Sequence, residues 1–258
     1  MTEFKVFSWN YSGLTGMGVS PDRERIRKMV VLLHGYMGDA ESNMSFASKI
    51  CEACPQCVVL VPDGPELVPV VNDPHHRQWY PLEETADSDG YLYAAMPYYA
   101  PPEKQQKIRE STPRIQKTAA LLNRFVLDQL QAYDLTLHDC FLSGISQGGI
   151  TAYDMVLFRR ELWGNGSDDF LGGLIIIGAG IHESDRLNGL RIGSIPKIPV
   201  LLARGKLDEI FPPTVDYFSA AQLRLHKLSV EISQADSVHF GLEHKVCDAV
   251  CHFIRQKS

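Results

Sequence analysis

The chain has 258 residues, with 25 Lys and Arg against 31 Asp and Glu, for a formal net charge of −6. A hydrophobic fraction of 45% and a charged fraction of 22% describe an ordinary globular protein with a substantial core and exclude global disorder. The acidic balance, with no run of Lys and Arg, argues against a nucleic-acid module, whose affinity rests on clustered cations.

The N-terminus, MTEFKVFSWN, has neither the basic start nor the apolar stretch of a secretory signal. Met29 to Leu33 and Cys57 to Val61 are short, nearly continuous apolar runs, as strands buried on both faces are. Tyr91 to Pro102, with Tyr91, Tyr93, Tyr98 and Tyr99 among prolines, has no sustained period. It is expected to be a loop, either packed on the surface or forming a wall for a substrate. Ser111-Thr112-Pro113 reads as a cap and first turn, followed by apolar residues at Ile115, Ala119, Leu122, Val126, Leu130 and Tyr133 on one helical face. Further strands are expected at Cys140 to Ser143, Leu174 to Ile177, Val200 to Ala203 and Leu228 to Ser233. Helices are expected from Thr214 and through Leu242, Val246, Val250 and Phe253. The most apolar segment, Gly173 to Ile181, is far shorter than the ~20 residues a membrane helix needs. Strands alternating with helices imply one α/β domain, a mostly parallel central sheet with helices on both faces, over residues 1–258. The expected setting is cytoplasmic, with no integral membrane segment.

Gly144-Ile145-Ser146-Gln147-Gly148 is a G-x-S-x-G pattern between a strand and a helix. In an α/β hydrolase that context places the serine on a tight turn, with its hydroxyl exposed at a helix N-terminus. A serine hydroxyl needs a histidine base, and the histidine needs a carboxylate to set its tautomer. The expected chain order is Ser, acid, His. Asp208 follows the strand at Val200 to Ala203 and His239 follows the last strand, at the strand ends where such sheets carry their sites. Glu209 and Asp236 are rival acids. His182 breaks the order and His244 falls inside the last helix. The adjacent His75 and His76 lack companion ligands, so no metal and no cofactor is assigned. An oxyanion hole needs two backbone N–H groups. One is expected from Gln147; the other is expected from Tyr36, with Met37 the near alternative, in the turn after Val30-Val31-Leu32-Leu33-His34-Gly35.

The six cysteines are too sparse for a disulfide scaffold. Cys51, Cys54 and Cys57 have C-x2-C-x2-C spacing, but no fourth ligand lies near in sequence, so packing or free thiols are expected.

Together the segments VVLLHGYMGD, VLVPDGPE, RQWYPLEE, GISQGG and VLLARGKLDEIFPP, with the His239 segment, resemble the phospholipase/carboxylesterase family of α/β hydrolases, which includes acyl-protein thioesterases, lysophospholipases and bacterial carboxylesterases. The resemblance implies a triad of Ser146, Asp208 and His239, with oxyanion donors from Tyr36 and Gln147 and Trp79 helping to wall the site. Core packing is the alternative role for Trp79. It implies serine hydrolysis of an acyl ester, a lysophospholipid or an S-acylated protein. A catalytically silent receptor for an apolar ligand and an acyltransferase using the same triad are the alternatives. Three features depart from the family pattern: Arg204-Gly205 in place of His-Gly, Met37 where glycine is common, and a longer aromatic stretch. Met37, Tyr98 and Tyr99 are expected to contact substrate, within a lid or wall loop over residues 84–112.

Overall fold

The computed structural model describes residues 3–69, 71, 73–82, 100–163 and 170–257. Its centre is an eight-stranded sheet. The strands are β1 (Lys5–Tyr11), β2 (Leu14–Ser20), β3 (Lys28–Leu33) and β4 (Cys57–Pro62), then β7 (Cys140–Ile145), β8 (Gly173–Ile177), β9 (Pro199–Gly205) and β10 (Ser229–Ala235). A separate two-stranded ribbon pairs β5 (Glu66–Leu67) with β6 (Arg77–Gln78). The spatial order is β1-β2-β4-β3-β7-β8-β9-β10. Pairing is parallel from β4 through β10, and β1 and β2 add an antiparallel edge.

Alternation along each strand divides the core between the two faces. In β3, Met29, Val31 and Leu33 join one apolar cluster, while Val30 and Leu32 join the other. The first cluster is covered by α2 (Pro102–Tyr133), α3 (Gln147–Leu157) and α4 (Pro213–Leu225). On the opposite face lie α1 (Met44–Ala53) and α5 (Leu242–Gln256). Among the described residues no helix is long and apolar enough to cross a membrane.

The expected start of α2 is corrected. The helix begins at Pro102 and runs through Pro113, so Ser111-Thr112-Pro113 is not its cap, and residues 102–112 of the expected loop are helical. Proline removes the N–H that would donate to Arg109 O, and the adjacent Ile108 carbonyl collects side-chain partners. Ser111 Oγ donates to Ile108 O at 2.8 Å, Thr112 Oγ1 donates to the same carbonyl at 3.2 Å, and His182 Nε2 reaches it at 3.0 Å. Tyr98, Tyr99 and most of the aromatic stretch lie outside the described residues.

Candidate functional site

A single residue, Ser146, separates the end of β7 from the start of α3, with φ 52° and ψ −117°. Its N–H donates to Ile177 O at 2.9 Å across to β8, and its carbonyl accepts from Gly149 N at 2.8 Å. So tight a turn leaves no room for side chains two residues either way. A Cβ on Gly144 would stand 2.3 Å from Gly148 O, and one on Gly148 would stand 2.4 Å from Leu33 O. Glycine is therefore required at both places by backbone approach.

His239 lies after β10, and its Nε2 is 2.9 Å from Ser146 Oγ. Its Nδ1 is 2.8 Å from Asp208 Oδ2. Asp208 is 3% exposed, and its other oxygen accepts the N–H groups of Ile210 at 2.9 Å and Phe211 at 2.8 Å. Buried carboxylate oxygens require such partners. The structure thus joins Ser146, His239 and Asp208 in one hydrogen-bonded line. The rival acids stay outside it: Glu209 is exposed, and Asp236 pairs with Lys206 at 2.9 Å on the surface. His182 is buried against Ser111 Oγ at 2.8 Å, and His244 pairs with Glu243 at 3.5 Å. His75 is held by Asp39 Oδ2 at 2.9 Å.

Two supporting residues were not anticipated from sequence. Gly178, just after β8, has φ +56°, and a Cβ there would be 3.3 Å from both Asp208 Oδ2 and His239 Cε1. Phe211 stacks on the His239 ring at 5.6 Å with a 29° interplanar angle, fixing its plane. The signal for Gly178 is a glycine ending an apolar strand run, which marks a close approach; the stacking has no sequence signal.

The 34–38 turn stands beside the serine, since a Cβ on Gly35 would meet Ser146 Cβ at 3.5 Å. Met37 N–H is engaged with Arg77 O at 3.0 Å, which removes it as an oxyanion donor and leaves Tyr36 as the candidate from this turn. Gln147 is the first residue of α3, where a backbone N–H has no partner within the helix. The Gln147 side chain is anchored elsewhere: Oε1 accepts Trp79 N–H at 2.9 Å and Nε2 donates to Tyr80 O at 2.8 Å.

The expectation that Trp79 walls the site is corrected. Trp79 is fully buried, its indole N–H donates to His34 O at 2.7 Å, and its ring lies 4.6 Å from that of His34. It props the 34–38 turn from below. His34 Nε2 accepts Gly64 N–H at 2.8 Å, so Nδ1 carries the proton that Gly35 O accepts at 2.7 Å. Burial pushes the His34 pKa down to about 4, keeping the ring neutral.

Ser146 and His239 open into a cleft of about 620 Å3 walled by Tyr36, Met37, Leu82, Ile145, Ile210 and Phe240. Its lining is predominantly apolar, with Ser146 Oγ and His239 Nε2 as the reactive polar groups, the composition of a site for an apolar ligand. Phe240 is 80% exposed and meets His239 edge-on at 5.7 Å. Arg204 points away from Asp208's hydrogen bonds. Its guanidinium donates to Pro213 O at 3.1 Å and lies 4.1 Å over the Tyr217 ring, tying β9 to α4.

Several solved structures share this architecture. Esterase PE8 is 21% identical, with 95% of this chain and 99% of that chain covered and a TM-score of 0.72. SOBER1 of Arabidopsis thaliana is 17% identical, with 90% and 99% covered and a TM-score of 0.66. A phospholipase/carboxylesterase from Dyadobacter fermentans is 18% identical, with 98% and 97% covered and a TM-score of 0.60. At these identities the likeness carries the fold, which is that of the α/β hydrolases. A sequence model described as phospholipase/carboxylesterase matches residues 15–257, and the chain belongs to that family.

Proposed function

We propose that this chain is a serine hydrolase that cleaves carboxylic esters or thioesters of apolar acyl groups through an acyl-enzyme on Ser146. The observation that carries the reading is His239, bridging Ser146 Oγ at 2.9 Å and Asp208 at 2.8 Å. In the proposed reaction His239 Nε2 takes the hydroxyl proton as Ser146 Oγ attacks the acyl carbonyl. The N–H groups of Tyr36 and Gln147 receive the developing oxyanion, aided by the positive end of α3. Asp208 holds the Nδ1–H tautomer and stabilises the imidazolium. Protonated His239 then delivers its proton to the leaving alcohol or thiol. A water, deprotonated by the same nitrogen, attacks the acyl-serine and releases the acid. No cofactor enters any step.

The apolar walls of the cleft support an apolar acyl chain. At about 25 cal/mol per Å2 of apolar surface removed from water, each added methylene strengthens binding by roughly 0.8 kcal/mol while it remains inside. A lysophospholipid or an S-acylated protein fits the same chemistry, because the acyl half is what the cleft holds. A fluorophosphonate probe, with a panel of matched esters and thioesters of increasing acyl length, tests the reading. The expected result is one covalent label on Ser146, lost in Ser146→Ala, and hydrolysis abolished in the same variant. An unlabelled, folded wild-type protein would instead make the cleft a receptor for an apolar ligand.

A further inference from the structure

At the opposite end of the sheet, the structure gathers cysteines that are far apart in sequence. All six are free and buried. Cys54 and Cys57 flank the turn from α1 into β4, while Cys247 and Cys251 sit one helical turn apart on α5. The thiols form a line of neighbours. Cys54, three residues along the chain from Cys57, has its Sγ 3.7 Å from Cys251 O, and Cys251 Sγ is 3.9 Å from Cys247 Sγ. A pocket of about 230 Å3 opens onto this line, with Cys54, Cys57, Lys28 and Arg255 in its wall. Lys28 and Cys57 are register partners at the starts of parallel β3 and β4, whereas Ser146 follows the end of β7. The two sites therefore face away from each other.

We infer that Cys54-Pro55-Gln56-Cys57 is a thiol–disulfide exchange site taking a small anionic disulfide into the pocket beside Lys28 and Arg255. Geometry selects the pair. Cys57 N–H donates to Cys54 O at 2.9 Å, an i to i+3 turn whose end Cα atoms lie within about 7 Å; a disulfide needs about 4.4–6.8 Å. Pro55 fixes the first central φ of that turn. The competing Cys247–Cys251 pair is spaced i,i+4 on a helix, where Cβ atoms stand about 5–6 Å apart, beyond the roughly 3.5–4.5 Å a disulfide requires. Cys51 and Cys140 are the inert thiols. Burial pushes Cys51 up to about 12 and also pushes Cys140 up, and neither lines the pocket.

Access selects the attacking sulfur, since Cys54 is 6% exposed and Cys57 1%, and electrostatics agrees. The neighbouring Cys251 and Cys57 thiols, with Arg255 and Lys28 beyond them, hold Cys54 below the ordinary cysteine range, while the pairing with Cys54 and burial push Cys57 up. In the first step Cys54 thiolate attacks one sulfur of R–S–S–R, breaking that bond and releasing R–S⁻. Cys57 then gives its proton to the released thiolate and attacks Cys54 Sγ, expelling the second R–S⁻, which takes up the proton lost earlier from Cys54. The two protein thiols are oxidised by two electrons and the small disulfide is reduced to two R–SH.

The test uses the reduced full-length chain, equilibrated at a series of reduced-to-oxidised glutathione ratios, trapped with iodoacetamide, and read by intact mass and peptide mapping. The expected product is natively folded protein lighter by two hydrogens, with the bridge in the 54–57 peptide. Cys57→Ser is expected to stop at one glutathione on Cys54, Cys54→Ser to form neither product, and Cys247→Ser to bridge as wild type does. If the cysteine variants do not fold, alkylation rates in the wild-type protein decide. Cys54 should be the fastest of the six thiols, and Lys28→Gln should slow it by about threefold, the size of one partly exposed charge pair. Three results would overturn the inference: a bridge through Cys247 or Cys251, equal alkylation of Cys54 and Cys140, or stoichiometric zinc held by the thiols of the purified protein.

Discussion

Asp208→Asn is the sharpest probe of the proposed chemistry, because the structure dictates how the new amide must lie. The carboxylate accepts two backbone N–H groups on Oδ1, from Ile210 at 2.9 Å and Phe211 at 2.8 Å, and faces His239 Nδ1 with Oδ2 at 2.8 Å. Turning the amide nitrogen toward the backbone donors would leave two buried N–H groups unpaired, at about 1–3 kcal/mol each. The amide oxygen therefore stays on the backbone side and the NH2 group faces His239. Nδ1 must then accept, the ring proton moves to Nε2, and the nitrogen beside Ser146 can no longer take its proton. The serine-protease template with the same substitution loses about four orders of magnitude in kcat, roughly 5.4 kcal/mol of barrier. We expect a loss of that order in kcat for a p-nitrophenyl ester, slower fluorophosphonate labelling in proportion, and a melting temperature close to wild type. An Asp208→Asn variant retaining more than about a tenth of wild-type kcat would refute the tautomer argument. Glu209→Gln, at an exposed position, should leave turnover unchanged; a large loss there would shift the acid by one residue.

Gly144→Ala should be strongly destabilising, because its Cβ would lie 2.3 Å from Gly148 O and 2.6 Å from Gly149 N, backbone atoms that cannot swing aside. A cost of about 3 kcal/mol corresponds to a fall of about 6–12 °C in Tm, and an unchanged Tm would show that the elbow relaxes. Met37 holds φ 63°, so Met37→Gly should relieve about 0.5–1 kcal/mol net of unfolded-state entropy, raising Tm by about 1–4 °C while lowering kcat/KM more for long-chain than for acetyl esters. A lower Tm would mean that packing by the methionine side chain outweighs the strain. Burial lowers the His34 and His182 pKa values from 6.5 to about 4. The unfolded chain therefore takes up protons that the folded chain refuses, so stability is full above pH 6.5 and falls as pH drops toward 4, by up to about 3 kcal/mol per residue. Urea unfolding at pH 7 and pH 4.5 should show this slope, reduced in His182→Gln; the same slope in that variant would remove His182 from the account.

The parallel strands were legible because burial on both faces writes a continuous apolar run, as in Val58-Val59-Leu60-Val61. The hairpin of β1 and β2 is written as an alternation instead of a run: Phe7, Trp9 and Tyr11 pack inward while Ser8 and Asn10 are exposed, so a search for continuous apolar runs passes over it. Its turn signal, Ser12-Gly13 with φ 47° and 88°, is a two-residue left-handed connection that the dipeptide itself advertises. Pro113 misled for a different reason. Proline suits the first turn of a helix, whereas here a helix that has already started at Pro102 runs through it. Ser146, Asp208 and His239 could be singled out because each follows a strand. Asp208's bonds to the N–H groups of Ile210 and Phe211 form a local turn of the kind aspartate favours, whereas the stacking of Phe211 on His239 and the burial of Trp79 beneath the 34–38 turn belong to tertiary structure alone.

Backbone strain gives independent weight to the cleft. Among the described residues, the non-glycine residues with positive φ are Ser12, Met37, Asp134, Ser146, Glu183 and Lys227. Local geometry accounts for Ser12 in the hairpin, for Asp134 at the end of α2, and for Lys227 just past the end of α4. Glu183 leads into a short 3-10 turn. Met37 is the third residue of the turn closed by Gly38 N–H to Gly35 O at 3.1 Å, a place that favours glycine, and Ser146, at ψ −117°, lies outside the left-handed helical region altogether; both face the cleft. Strain of this kind, about 1–3 kcal/mol each, persists only where surrounding structure over-determines it. Here the restraints are visible: Ser146 N–H is held by Ile177 O at 2.9 Å and Met37 N–H by Arg77 O at 3.0 Å. Neither bond is made within the strained turn itself; each comes from a strand elsewhere in the fold. The sheet and its ribbon thus impose the conformation on the cleft, which is the relation expected where a rigid scaffold pre-organises donors and a nucleophile before substrate arrives.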